Sequence, residues 1–281
     1  MSSLPTPAGV VAEMASRATR FETPCGDGSM VWHSWGKGPP LVLLHGAHGS
    51  WMHWIRNISY LEKHFSVFAP DLPGYGGSSL PQRPDDADSF AEAIAQGIRA
   101  LIHFDAPVDV VGFSLGGVLA THLAAIAPDI VGRLILVGTG GLDTPTGPMP
   151  TISYRGLSAA DDIIAAHRQN LLAIMLHHPE NVDPLALYLQ SINIPLARVN
   201  PRPLVMPDRL LHVLPRTDVP IDAIWGEFDG PHPNPEVQHD VLKRFRPDLE
   251  FRVVKGSGHW VMYEGAEVFN RELGSLLALR H

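Results

Sequence analysis

The sequence predicts an α/β fold: a mostly parallel central sheet flanked by helices, with a helical cap inserted after the sixth strand. Three observations predict it. Short β-branched or leucine-rich runs alternate with segments of helical spacing; one such run passes into an Ala- and Leu-rich helix with only Phe113-Ser114 between; and the strand pattern lapses once, from Leu142 to about Asp218. On that reading residues 1–141 and 219–281 form the core and 142–218 the cap.

In chain order, the leader before Met30 reads as helical. MVWHSWGKG alternates apolar and polar residues, PPLVLLHG is a continuous apolar run ending at His45-Gly46, and SVFAPDLPG repeats that pattern before a Pro and Gly loop through Gly77. All three read as strands. Asp86 to Phe104 places Phe90, Ile94, Ile98, Leu101 and Ile102 on one helical face. VDVVGFS and RLILVGTG are strands around the LGGVLATHLAAIAP helix, the crossover that parallel strands require. The next segment reads as helices and loops broken by Pro184, Pro195, Pro201, Pro203 and Pro207. IDAIWGEFD and LEFRVVKGSGH resume the strands, and Ala266 to Leu279 closes as a helix with Val268, Phe269, Leu273, Leu276 and Leu277 inward. A cap at this point would cover the carboxyl ends of the strands, where open sheets bind ligands.

Composition narrows the function. The 281 residues hold 21 Lys plus Arg against 29 Asp plus Glu, a net charge of −8, so no basic surplus is available for phosphates and no nucleic-acid partner is expected. Hydrophobic residues at 45% and charged residues at 18% are the balance of a globular chain rather than a disordered one, and the expected partner is a small-molecule substrate. The lone Cys25 rules out an internal disulfide and a CxxC pair, which fits a reducing compartment and a cytoplasmic location. The first twenty residues lack the basic start and apolar run of a secretory signal, and no apolar run approaches the roughly 20 residues of a membrane span. No membrane association is expected, and a homo-oligomer is left open.

Gly112-Phe113-Ser114-Leu115-Gly116 is a G-x-S-x-G lying between a strand and a helix, where a sharp turn lifts the hydroxyl and small neighbours relieve crowding. A serine hydroxyl is a weak nucleophile at neutral pH and needs a base, itself oriented by a third group. His259, in Gly256-Ser257-Gly258-His259-Trp260, is the candidate base. Asp229, ending Gly226-Glu227-Phe228-Asp229, is the candidate orienting acid, with Glu227 and then Asp143 as fallbacks. The order Ser114, Asp229, His259 is that of triads built on strand ends. An oxyanion hole would use the N–H groups of Leu115, just after the nucleophile, and Ala47, after His45-Gly46. His48, Trp51, Phe113 and Trp260 are the candidate substrate-binding residues.

In combination, His45-Gly46, Asp71-Leu-Pro-Gly74-Tyr-Gly76, the Ser114 elbow, Trp225-Gly-Glu-Phe-Asp229 and Gly258-His259 resemble the α/β-hydrolase fold family from about Met30 to Leu279. The resemblance implies a serine hydrolase whose cap shapes the substrate pocket. Branches with an aspartate nucleophile are disfavoured by Ser114. Leu134-Ile-Leu-Val-Gly-Thr-Gly-Gly141, Gly258-His259-Trp260 and Phe269-Asn270-Arg271 resemble the meta-cleavage product hydrolases, which split carbon–carbon bonds; on that reading Arg198 in the cap pairs with a substrate carboxylate, and otherwise it is an exposed structural arginine. Phe113 and Ala47-His48-Gly49-Ser50 depart from that pattern. Carboxylic ester hydrolysis through an acyl-enzyme is therefore the preferred expectation, with carbon–carbon hydrolysis or a cofactor-free lyase or oxygenase as alternatives.

A metal is not expected. His45, His48 and His53 span a strand end and a helix start, no H-E-x-x-H occurs, and Asp229 with His232 supplies only two ligands. Nor is a nucleotide cofactor, because Gly74, Gly76 and Gly77 form no phosphate-binding motif. Since an imidazole must be neutral to act as a base, activity is expected to fall on the acid side of about pH 6 to 7.

Overall fold

Alternation of inward side chains explains why the strands stack as they do. Leu41 and Leu43 face one side of the sheet while Val42 and Leu44 face the other, and all four are fully buried. The computed structural model describes residues 5–103 and 105–278, so the expected helix ends at Phe104 and Leu279 lie outside the described residues.

Eight strands form one sheet: β1 (Thr19–Cys25), β2 (Gly28–Trp35), β3 (Pro40–Leu44), β4 (Ser66–Pro70), β5 (Val108–Phe113), β6 (Val131–Val137), β7 (Ile221–Gly226) and β8 (Phe251–Val254). Their order is β1-β2-β4-β3-β5-β6-β7-β8, parallel from β4 onward and antiparallel at β1–β2 and β2–β4. The chain thus has the mostly parallel sheet its sequence predicts.

The leader differs from the expectation of a helix up to Met30. Helix α1 (Pro7–Arg17), capped by Thr6, gives way to β1, which pairs with β2 along its whole length. Phe21, Thr23 and Cys25 alternate inward, and the chain reverses at Gly26, whose φ is +54°. A Cβ there would sit 2.2 Å from the Leu80 carbonyl oxygen, so only glycine fits.

Helices cover both faces. On one face α2 (Ala87–Leu101), α3 (Leu115–Ile126) and α6 (Pro235–Phe245) bury Phe90, Ile94, Leu119, Leu123 and Leu242. On the other, α1 and α7 (Ala266–Ala278) bury Met14, Phe269, Leu273 and Leu277. Each fully buried leucine contributes about 1.5–3 kcal/mol through removal from water.

Between β6 and β7 the described chain is helical and irregular. Helix α4 (Ala160–Asn170) continues into a π-turn, Leu171–Met175, and α5 (Pro184–Asn193) starts with Asp183 capping the Ala186 N–H at 2.8 Å. Pro184 begins α5 rather than breaking a helix, since the first helical N–H has no intrahelical partner. No described helix is long and apolar enough to cross a membrane.

Candidate active site

The turn after β5 holds Ser114 at φ +52° and ψ −118°, a region that side chains rarely enter. Its N–H donates to the Val137 carbonyl at 2.8 Å, and its own carbonyl accepts from Gly117 at 3.0 Å. Glycine is required on both sides. A Cβ on Gly112 would lie 2.5 Å from the Gly116 carbonyl oxygen, and one on Gly116 would lie 2.4 Å from that of Leu44. The half-buried Ser114 therefore sits above the middle of the sheet, directly before α3. Leu115 is the first residue of α3, so its N–H has no carbonyl four residues back within that helix.

Asp229 follows β7 and His259 follows β8. The two turns are laced together: Glu227 N–H donates to Val254 at 3.0 Å and Phe228 N–H to Ser257 at 2.9 Å. His259 Nδ1 lies 2.8 Å from Asp229 Oδ2, with both residues buried. A carboxylate accepts, so Nδ1 carries the proton and Nε2 keeps its lone pair. The other oxygen, Oδ1, accepts the His232 N–H at 2.9 Å.

What brings this pair toward the serine is the end of β6. A Cβ on Gly138 would meet Asp229 Oδ2 at 3.0 Å and His259 Nδ1 at 3.2 Å, while the preceding Val137 holds Ser114. The His259 ring also lies 4.9 Å from that of Phe113. Ser114 and His259 thus share neighbours on two sides; no hydrogen bond joins their side chains.

The loop after β3 is fixed by two neutral imidazoles. His45 Nε2 accepts the Leu72 N–H at 2.8 Å and its Nδ1 donates to the Gly46 carbonyl at 2.7 Å; burial pushes its pKa down to about 4. His53 Nδ1 accepts the Gly46 N–H at 3.3 Å, and burial, reinforced by His45, His259 and His48, holds it well below the usual imidazole range. Ala47 follows, half-buried, and then the exposed His48 at φ +57°.

The other expected site residues separate. Trp260 is buried, donates from Nε1 to the His53 carbonyl at 3.0 Å and stacks on Tyr263 at 4.1 Å. Trp51 packs against His33 and Trp35, with ring centroids 5.2 Å away in each case, and its N–H donates to Asp71. Glu227 faces outward, pairing with Lys255 at 3.0 Å and accepting the Gly256 N–H at 2.9 Å. The Gly256 N–H, with Lys255 beside it, holds the Glu227 carboxyl below its ordinary value. Asp143 is exposed. Arg198 donates to the Ser78 carbonyl, tying the loop after β4 to the helical segment.

Two contributors stand outside the expected site residues: Glu264, which no motif marks, and His232, weighed in the sequence only as a metal ligand. Glu264 accepts N–H groups from Gly258 at 2.6 Å, His177 at 2.9 Å and His178 at 2.8 Å, and the Asn181 amide at 2.9 Å. It joins the His259 loop to the segment between β6 and β7, and the Trp260 N–H reinforces the join by donating to Met175 at 2.7 Å. His232 is buried beside the pair, its ring 5.5 Å from His259 and its pKa lowered to about 4 by burial. A cavity of about 650 Å³ reaches Asp229 and His259 past Leu172, Ile174, Leu176 and Phe228.

Parallel strands, a strained serine at the central turn and an Asp–His pair at the neighbouring strand ends define a hydrolase of the α/β fold. The chain belongs to the α/β-hydrolase fold family. The family described as "alpha/beta hydrolase fold" matches residues 39–158. Over 268 residues the chain is 31% identical to a pimeloyl-[acyl-carrier protein] methyl ester esterase from Vibrio atlanticus (strain LGP32), covering 88% of this chain and 97% of that one. It is 26% identical over 262 residues to a 2-hydroxy-6-oxo-6-phenylhexa-2,4-dienoate hydrolase from Burkholderia cepacia, covering 84% and 86%. Among solved structures, the naproxen esterase (carboxylesterase NP) of Bacillus subtilis superposes with a TM-score of 0.74 at 20% identity, covering 96% of each chain.

Proposed function

We propose that the protein is a serine hydrolase that cleaves carboxylic esters of small, largely apolar substrates. The observation that carries this reading is the buried 2.8 Å Asp229–His259 pair set at the rim where Ser114 stands at φ +52°. In the proposed reaction Ser114 Oγ attacks the ester carbonyl while His259 Nε2 takes its proton. The N–H groups of Leu115 and Ala47 receive the oxyanion. His259 then protonates the leaving alcohol, and water, activated by the same imidazole, releases the acid from the serine. Asp229 holds the ring in the tautomer that leaves Nε2 basic.

The helical segment 142–218 acts in this reading as a cap, and the aliphatic lining of the neighbouring cavity suits an apolar acyl or alcohol group. The ester reading is favoured over carbon–carbon cleavage by Phe113 and Ala47-His48-Gly49-Ser50, which depart from the meta-cleavage product hydrolase pattern. The relative named as a methyl ester esterase, at 31% identity, supports the same choice.

A fluorophosphonate probe should label Ser114, and short p-nitrophenyl esters should turn over with a burst of alcohol. Ser114→Ala should stay folded and lose on the order of 10³- to 10⁶-fold in kcat. Normal turnover by Ser114→Ala would remove the nucleophile; turnover of a vinylogous diketone with none of any ester would move the assignment to the carbon–carbon class.

A further inference from the structure

His232 has no part in the reaction just described, yet it is buried against the two residues that do. Together Asp229, His232 and His259 are the set of three among the described residues whose ligand atoms could hold a metal, all within 4.8 Å of one another and all buried. The geometry points to an inhibitory site for a borderline-soft divalent cation, Zn²⁺ above all, formed by one Asp229 oxygen, His259 Nδ1 and a His232 ring nitrogen.

The donor chemistry fits that class. Two imidazoles and a carboxylate suit zinc, copper or nickel and discriminate against magnesium and calcium, which prefer oxygen shells. Three ligands leave a fourth position for water. The carboxylate opposes the cation's charge at close range, and two neutral imidazoles add no repulsion.

The geometry needs only a modest adjustment. Ligands about 2.05 Å from a tetrahedral ion stand about 3.3 Å apart. The Asp229–His259 contact at 2.8 Å is already inside that distance, so the pair opens slightly while the wider members of the set close in. The His232 ring packs against Gly140, where a Cβ would lie 3.1 Å from Cε1 and 3.2 Å from Nε2, so its place beside the pair depends on that glycine. Access is provided by the cavity that borders Asp229 and His259.

Binding has a defined chemical consequence. The ion replaces the proton on His259 Nδ1, which leaves to solvent, and it takes the Asp229 oxygen that oriented the ring. The imidazole stays fixed, but its basicity falls because its electron density is drawn toward the cation. Metal binding rests on the three side chains alone; inhibition rests on the serine-hydrolase reading above.

Calorimetric titration of Zn²⁺ into the metal-free full-length protein separates the two. Wild type and Ser114→Ala should both bind one ion, with proton release, and His232→Gln should weaken binding at least tenfold while circular dichroism verifies its fold. Asp229→Asn, a second variant of similar size, should weaken it too. Replacement of the half-buried His178, outside the set of three, in His178→Ala should leave affinity as in wild type. With wild type, Zn²⁺ should suppress ester turnover and EDTA should restore it. Unchanged zinc affinity in folded His232→Gln, or loss of binding in His178→Ala, would overturn the site. Binding that depends on His232 but leaves measurable ester turnover untouched would overturn the inhibition. Binding without any ester turnover in the metal-free enzyme would leave the site standing and count against the proposed function instead.

Discussion

The two turns that carry the candidate nucleophile and the candidate base differ in what a side chain contributes to holding them. The Ser114 turn is fixed by backbone pressed against backbone: Gly112 against Gly116 and Gly117, and Gly116 against Leu44 and His45, with no space for a single methyl group. The His259 loop has backbone bonds of its own, Phe228 to Ser257 and Trp260 to Met175, and adds to them a side chain, Glu264, with its four donors. The first device admits no substitution at its glycines, because backbone stands against them, that of Leu44 and His45 in the neighbouring strand end included. The second couples the base to residues 177–181, so movement in the segment between β6 and β7 is passed to His259.

The strongest way to break this contrast is on the backbone side. Gly116→Ala drives a methyl group into the Leu44 carbonyl and should abolish soluble, folded protein, as read by circular dichroism and expression; a folded, active variant would refute the close-packing account. Next comes the acid: Asp229→Asn keeps the shape but offers Nδ1 an amide, and kcat should fall on the order of 10⁴-fold with the fold intact. Acid stability follows. His45 sits at about 4 in the folded chain against 6.5 when unfolded, and His33 likewise through burial and the nearby Arg20 charge. Because these pKa values are depressed, the unfolded chain takes up protons first, so stability should be full above pH 6.5 and decline toward pH 4. The loss is about 3 kcal/mol for the fully buried His45. Denaturant midpoints measured from pH 7 to 4 check this, and His45→Gln should flatten the slope if it stays folded.

A smaller effect sharpens the side-chain half of the comparison. Glu264→Gln replaces an all-acceptor group with one that must turn a donor toward one of four N–H groups. A fall in kcat of about 10- to 100-fold is expected, with KM little changed and the zinc affinity of the Asp229 site weakened in parallel. If stability drops while kcat and zinc affinity hold, Glu264 is only a structural tie.

Much of this arrangement was legible in the sequence because it is local. The G-x-S-x-G lies between a β-branched run and an Ala-rich helix, and strand-end turns announce Asp229 and His259 through their glycines. The helical leader was misread in its second half because β1 is an edge strand: only Phe21, Thr23 and Cys25 turn inward, and the outer positions carry charge. The motif from Leu134 to Gly141 was visible, but its purpose was not. Gly138 and Gly140 are bare because Asp229, His259 and His232 stand against them, residues roughly 90 to 120 positions later in the chain. Glu264 left no trace at all, since nothing in its local context separates a four-way acceptor from a surface glutamate.

Ser114 also sits where folding and chemistry ask for different atoms. Its backbone angles suit glycine and are held at a cost of about 1 to 3 kcal/mol by the hydrogen bonds to Val137 and Gly117. Removing the side chain in Ser114→Gly should therefore raise the melting temperature by a few degrees as it extinguishes turnover, whereas Ser114→Ala, still bearing a Cβ, should melt close to wild type. A protein made more heat-resistant by losing its reactive group would mark this α-carbon as a place where durability has been surrendered for reactivity.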